Sequence, residues 1–151
     1  MHKKVVLRHD YNYVGTKVPL STSIGQIEDL LRKHGCSKMG HYSDMEKDGL
    51  QRVTLVFEHH GIPYMIEFPL TFVNLRNPRL NLDISGRIIH DRVKQLLIMV
   101  DIDILDFKQA MVPFLAIKSS SSPGYVPLEY EVTQVDGPQG FDIRQCLPSG
   151  G

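Results

Sequence analysis

The chain has no tryptophan, only two cysteines and no surplus of either charge. Each scarcity excludes something. Cys36 and Cys146 cannot make the dense disulfide framework of a small secreted domain, and a chain of 151 residues can bury a core without one. A reducing, cytoplasmic setting is therefore expected. Seventeen basic residues balance seventeen acidic ones, which leaves no global field for non-specific capture of duplex DNA. The longest apolar run, Leu96 to Val100, falls far short of the roughly 20 residues that span a bilayer, so no membrane partner is expected. The first ten residues are charged and hold no apolar stretch of signal-peptide length. No phosphate-cradling glycine loop, nucleophile elbow, dinucleotide fingerprint or paired-cysteine metal motif occurs. The expectation is a protein that is not an enzyme, with no catalytic residues, no metal ligands and no cofactors.

What the chain does have is periodicity. Ser23 and Gln26 stand at capping-box spacing, Ile24, Ile27, Leu30 and Leu31 follow at helical intervals, and His34-Gly35 supplies a favourable stop. This predicts a short helix at about 23–34. From Ile89 onward Val93, Leu96, Val100, Ile104, Phe107, Met111 and Phe114 recur at alternating steps of three and four. That spacing predicts one continuous long helix at about 86–112, capped by Ser85 and limited by Pro113.

Short extended segments are expected at 4–8 and 11–18, and a strand at 36–43 leads to a turn at Glu46-Lys47-Asp48-Gly49. Val53, Leu55 and Phe57 then alternate with polar neighbours, His59-His60-Gly61 reverses the chain, and Ile62, Tyr64, Ile66 and Phe68 alternate again. The outer face of this hairpin would carry Arg52, Thr54, Val56, Glu58, Met65 and Glu67, with no aromatic platform for stacking bases. Residues 70–83 read as an irregular connection, and strands are expected at 114–117 and 125–132. The architecture predicted is α+β: an antiparallel sheet of three to five strands covered on one face by both helices. One domain would occupy 1–133, with a flexible tail over 134–151.

Three polar constellations stand out. Arg76, Arg79, Arg87, Arg92 and Lys94 face only Asp83 and Asp91 across residues 76–94, a local basic stretch suited to a nucleic-acid backbone. Asp101, Asp103 and Asp106 follow at once. Asp103 and Asp106 are spaced to share a helix face, and a solvated face opposite the apolar stripe is the expected role. His59-His60, with His34, Cys36 and His41, matches no metal-site spacing, because adjacent strand residues point to opposite faces.

Val18-Pro19-Leu20, followed by Ser23-x-x-Gln26-Ile27-x-x-Leu30-Leu31-x-x-x-Gly35, resembles the opening of a family of small uncharacterised proteins encoded by phages, prophages and other mobile elements. In that family a V-P segment leads into a capped helix, an antiparallel meander and a long amphipathic helix. Arg92, Lys94, Leu97, Val100, Ile104, Phe107 and Met111 stand where the long helix has its basic entry and spaced apolar residues. The resemblance covers about residues 18–130 and departs at Asp101, Asp103 and Pro113. It implies an accessory gene, often in DNA-handling neighbourhoods, and brings no catalytic residues with it.

The function expected is a non-catalytic accessory protein that binds nucleic acid, single-stranded DNA in particular, through Arg76, Arg79, Arg87, Arg92 and Lys94. The alternative is a protein-interaction module or homodimeric adaptor without nucleic-acid binding, since Leu97, Ile98, Leu105 and Leu115 lie off the main apolar stripe.

Overall fold

The computed structural model describes residues 4–5, 12–45, 51–68, 70–71, 78–120 and 123–130. Their order is β1 (Lys4–Val5), a 3-10 turn (Asn12–Gly15), α1 (Leu20–Lys33), β2 (Ser37–Met45), β3 (Gln51–His59), β4 (Ile62–Glu67), β5 (Leu70–Thr71), α2 (Pro78–Asp101), α3 (Phe107–Met111), a second 3-10 turn (Val112–Phe114), β6 (Ala116–Lys118) and β7 (Tyr125–Pro127). The fold is α+β. Strands β2, β3 and β4 form an antiparallel sheet in that order, with Leu55 opposite both His41 and Ile66. Strands β6 and β7 pair antiparallel, and β1 pairs with β5 in parallel. A bridge between Tyr64 and Leu115 ties β4 to the chain entering β6. The expected tail at 134–151 and turn at 46–49 lie outside the described residues, and the segment expected to be extended at 11–18 contains the first 3-10 turn.

Alternation positions the sheet. Val53, Leu55, Phe57, Tyr64, Ile66 and Phe68 all turn to one face and are buried. His60 and Gly61 both take left-handed conformations, φ +50° and +77°, between the paired residues His59 and Ile62. Two positive φ angles define the type I′ turn whose twist suits an antiparallel hairpin. The helices cover the apolar face. Ile24, Ile27 and Leu31 of α1, Leu82, Ile89, Val93 and Leu97 of α2, and Phe107 and Met111 of α3 join the strand residues in one buried cluster.

The first helix begins three residues before the Ser23 cap expected from the sequence. Pro19 stands at the N-cap without a side-chain bond, and the Leu20 amide donates instead to Asp83 Oδ1 of α2 at 2.8 Å. The capping acceptor thus comes from the neighbouring helix. Ser23 is fully buried inside the helix. Its C-terminus ends as expected: Gly35, at φ +86°, donates to Arg32 O and Cys36 donates to Leu31 O, the two bonds of a Schellman stop.

The long helix at 86–112 is corrected at both ends. It starts at Pro78, a residue suited to a first helical position, and Ser85 lies within it with its Oγ bonded to Asn81 O at 3.1 Å. It stops at Asp101. Asp103 takes φ +61°, its amide donates to Val100 O at 3.2 Å, and the Ile104 amide donates to Met99 O at 3.0 Å. This is a second Schellman stop, with aspartate where glycine usually sits. A new helix then opens at once. Asp106 Oδ1 accepts from the Gln109 amide at 2.7 Å while Gln109 Oε1 accepts from the Asp106 amide at 3.0 Å. The single stripe is therefore interrupted, and Ile104 is 63% exposed. No helix among the described residues is long and apolar enough to cross a membrane.

Candidate interaction surface

Four of the five basic residues singled out by charge belong to α2. Arg76 lies outside the described residues, and Arg79 belongs to the first turn of α2. Arg87 turns to α1, where its Nη1 donates to Gln26 Oε1 at 2.6 Å and to Ser23 Oγ at 3.2 Å. Arg92 forms a forked pair with Glu129, at 2.9 Å to Oε2 and 3.4 Å to Oε1, and its guanidinium sits 4.6 Å from the Phe114 ring centre. Lys94 is exposed and has no ion-pair partner among the described residues. Of these cations, Arg87 and Arg92 thus serve contacts within the chain.

A cleft of about 520 Å³ opens beside them, lined by Tyr13, Ile88, Asp91, Arg92, Lys94 and Gln95. Asp91 is its centre. The Tyr13 hydroxyl donates to Asp91 Oδ2 at 2.8 Å, and His90 Nδ1 lies 2.9 Å from Oδ1. The same Nδ1 is 3.2 Å from Arg87 Nη2, but one nitrogen can serve only one of these neighbours. Donation to the carboxylate is the sound assignment, because Arg87 already has Gln26 and Ser23 to bond. Burial by itself pushes the Asp91 carboxyl up, yet the bonds from His90 and Tyr13 and the nearby His90 and Arg87 charges outweigh it and hold Asp91 below its ordinary range. The bond to Asp91 holds the Tyr13 phenol above its ordinary value, with burial and the Asp91 charge adding to the effect and Arg87 opposing it. Glu129 thus balances Arg92, and Asp91 is occupied by Tyr13 and His90.

Past Lys94 the surface becomes apolar. Ile98 is 41% exposed, Met99 37%, Ile102 59% and Ile104 63%, all on the last turns of α2 and the corner that follows. Of the off-stripe residues expected at a surface, only Ile98 stands out; Leu97 is buried, and Leu105 and Leu115 are half-buried. The three acidic residues beside this patch have separate tasks. Asp101 Oδ1 bonds His34 Nε2 at 2.8 Å, Asp103 forms the helix stop, and Asp106 caps α3.

His59 and His60, at the reversal expected from the sequence, also pack as aromatics. The His59 ring stacks on Phe107 with centres 3.8 Å apart, and His60 meets it edge-on at 4.2 Å. Burial pushes His59 below its ordinary value; the His60 and His34 charges act the same way, and a hydrogen bond to the His34 backbone acts against them. Cys36 is buried and its thiol is pushed up to about 12, so it is no nucleophile at neutral pH. No group of metal-ligating side chains able to hold an ion occurs among the described residues.

The outer face of the sheet departs from the expectation that it lacks aromatics. A cleft of about 450 Å³ there is bordered by Tyr42, Val56, Pro63, Met65, Ala116 and Tyr125. Tyr42 pairs with Thr54 across β2 and β3 and so shares its face. A bulge between Ser37 and Gly40 shifts the alternation of β2 ahead of it. The charges of this face are paired across strands, Lys38 with Glu58 and Arg52 with Glu67.

No family model, curated protein or solved structure matches this chain.

Proposed function

We propose that this protein is a non-catalytic protein-interaction module, working through the exposed face of α2 and the corner after it. The run of exposed aliphatic side chains, Ile98, Met99, Ile102 and Ile104, carries the reading. Single exposed apolar residues are ordinary on a soluble surface, but several adjoining ones at the end of a helix mark a contact site. Commitment of Arg87 and Arg92 to internal partners supports the same reading over a phosphate-binding one. The resemblance to phage-encoded proteins fits an accessory role of this kind.

The test compares affinity purifications of the tagged wild-type chain and an Ile98→Ser/Ile102→Ser variant, with a differently tagged copy of the same chain expressed alongside. Loss of a specific co-purifying protein from the variant, with its melting unchanged, is the expected result. Recovery of the same proteins by both would overturn the reading.

A second reading is favoured by exposed Lys94 in the cleft beside Arg92 and Tyr13: binding of single-stranded nucleic acid, with Arg76, Arg79 and Arg87 contributing. Fluorescence anisotropy with a labelled single-stranded oligonucleotide at low salt tests it. Weakening by Lys94→Ala is expected, and absence of wild-type binding at tens of micromolar protein rejects it.

A further inference from the structure

Along the exposed side of α2, Lys94, Ile98 and Asp101 follow one another at steps of four and three, so they share one face, and Ile102, the first residue past the helix, borders it with its amide still bonded to Ile98 O at 3.0 Å. All are exposed: Ile98 is 41% and Ile102 59% accessible, and the Asp101 side chain is 60% accessible. The charge on this face changes sign along the helix, positive before Ile98 and negative after it. Such a stripe is complementary to itself only when two copies run antiparallel. A parallel pair would set Lys94 against Lys94 and Asp101 against Asp101.

From this we infer that the partner of the α2 face is a second copy of this chain, packed antiparallel about a twofold axis at Ile98. The inference rests on the interaction-module reading and deepens it. On such an axis each residue before Ile98 faces the residue the same distance after it. At a rise of about 1.5 Å per residue, Lys94 lies about 6 Å to one side of the axis and the copy's Asp101 about 4.5 Å to the same side. The long lysine side chain spans the difference. Asp101 offers Oδ1 to His34, and among the described residues nothing bonds Oδ2, which is left for the cation of the second copy. Ile98 meets its own copy on the axis, and Ile102 packs along the lysine stem, where aliphatic carbon covers aliphatic carbon. The interface is isologous, so it closes at two copies and does not propagate. It also removes Ile98 and Ile102 from water.

Sedimentation velocity on the full chain across a wide concentration range tests the proposal. The wild type should approach twice the chain mass of 17.2 kDa as concentration rises. Lys94→Asp and Asp101→Lys should each weaken association by about ten-fold, because a reversal acts twice across a twofold and turns attraction into repulsion. The double reversal should restore wild-type association. Asp101→Lys also removes the His34 contact, but the double variant shares that loss, so restoration isolates the contact between copies. Ile98→Arg should abolish association while leaving the far-UV circular dichroism of the folded chain unchanged.

A wild type that stays monomeric at every concentration overturns the homodimer. If Ile98→Ser/Ile102→Ser still loses a co-purifying protein in that case, the interaction-module reading survives with a different partner; if it loses none, both fall. Association that ignores Lys94, Asp101 and Ile98 substitutions also overturns the proposal, since another surface would then be in use.

Discussion

Replacing Gly86 with alanine puts the packing of α1 against α2 to a quantitative test. A Cβ at Gly86 would lie 3.0 Å from Leu20 Cδ1, 3.1 Å from Ser23 Cβ and 3.3 Å from Ser23 Oγ. Two effects oppose each other. Alanine is favoured over glycine in a helix interior by about 1 kcal/mol. Overpacking a well-filled site costs about 1–3 kcal/mol. The Leu20 methyl can swing away, but Ser23 Cβ is fixed to the backbone of α1, and Ser23 is fully buried with its hydroxyl bonded to Arg87. The helices must therefore separate by a few tenths of an ångström. The clash wins, and Gly86→Ala should lose about 1 kcal/mol net, roughly 2–4 °C in Tm for a chain of this size. Urea unfolding followed by circular dichroism measures it. Ser23→Gly in the same background removes the obstructing carbon, so the double-mutant cycle should show favourable coupling. A gain of about 1 kcal/mol in Gly86→Ala, the response of an uncrowded helical glycine, or a cycle without coupling, would refute the close crossing.

Other consequences can be measured in the same way. Asp103 holds φ +61°, so Asp103→Gly should raise the unfolding free energy by about 0.5 kcal/mol once the added freedom of the unfolded chain is subtracted; an unchanged urea midpoint would contradict the helix stop. Asp106→Ala removes the side-chain acceptor that caps the Gln109 amide at the start of α3 and should lose about 1 kcal/mol, read from the same unfolding curves. His59 has a folded value depressed below its ordinary 6.5, so the unfolded chain binds the extra proton first. Its contribution is therefore fully present above pH 6.5 and is lost as pH falls through 6.5 toward the folded value, and His59→Phe should flatten the stability-versus-pH curve in that window. Cys36, buried and with its thiol pushed up to about 12, should react with a thiol reagent at pH 8 only as fast as the chain opens; rapid labelling in native buffer would place it at the surface instead.

Alternation and helical spacing located the sheet and α1 because one face of each must be buried, and burial imposes its period on the sequence. Val53, Leu55, Phe57, Tyr64, Ile66 and Phe68 all reach the core by that rule. The same rule misled at Ile104. Spacing alone joined the stripes of α2 and α3 into one rod, since Val100 and Phe107 remain at steps compatible with 3.6 residues per turn. A stop without glycine carries almost no periodic signature. Asp103 in a left-handed conformation broke the helix, and the readable clue was the Asp106/Gln109 capping pair inside the supposed rod. At α1 the error ran the other way. Ser23 and Gln26 have capping-box spacing, yet both face Arg87 of α2, and the true cap acceptor, Asp83, is distant in sequence.

The charged residues were harder to read than the apolar ones for a physical reason. An apolar side chain has one common fate, whereas a charge can face solvent, cap a helix or pair with a partner far along the chain. Counting charges over 76–94 finds a basic excess, but it cannot see that Arg92 pairs with Glu129 from beyond β7, or that Arg87 braces α1. Nor can it see that Asp101, Asp103 and Asp106 hold a histidine, a helix stop and a cap in turn. Once those tasks are assigned, the surface of α2 reads differently. Glu129 neutralises Arg92 and α1 holds Arg87, and beyond them lies a short face with an exposed lysine, an aliphatic centre and a carboxylate past it. A nucleic-acid backbone selects many cations of one sign. A face of opposed charges around an apolar middle selects a surface with the same pattern reversed, and an antiparallel copy of the helix supplies that pattern.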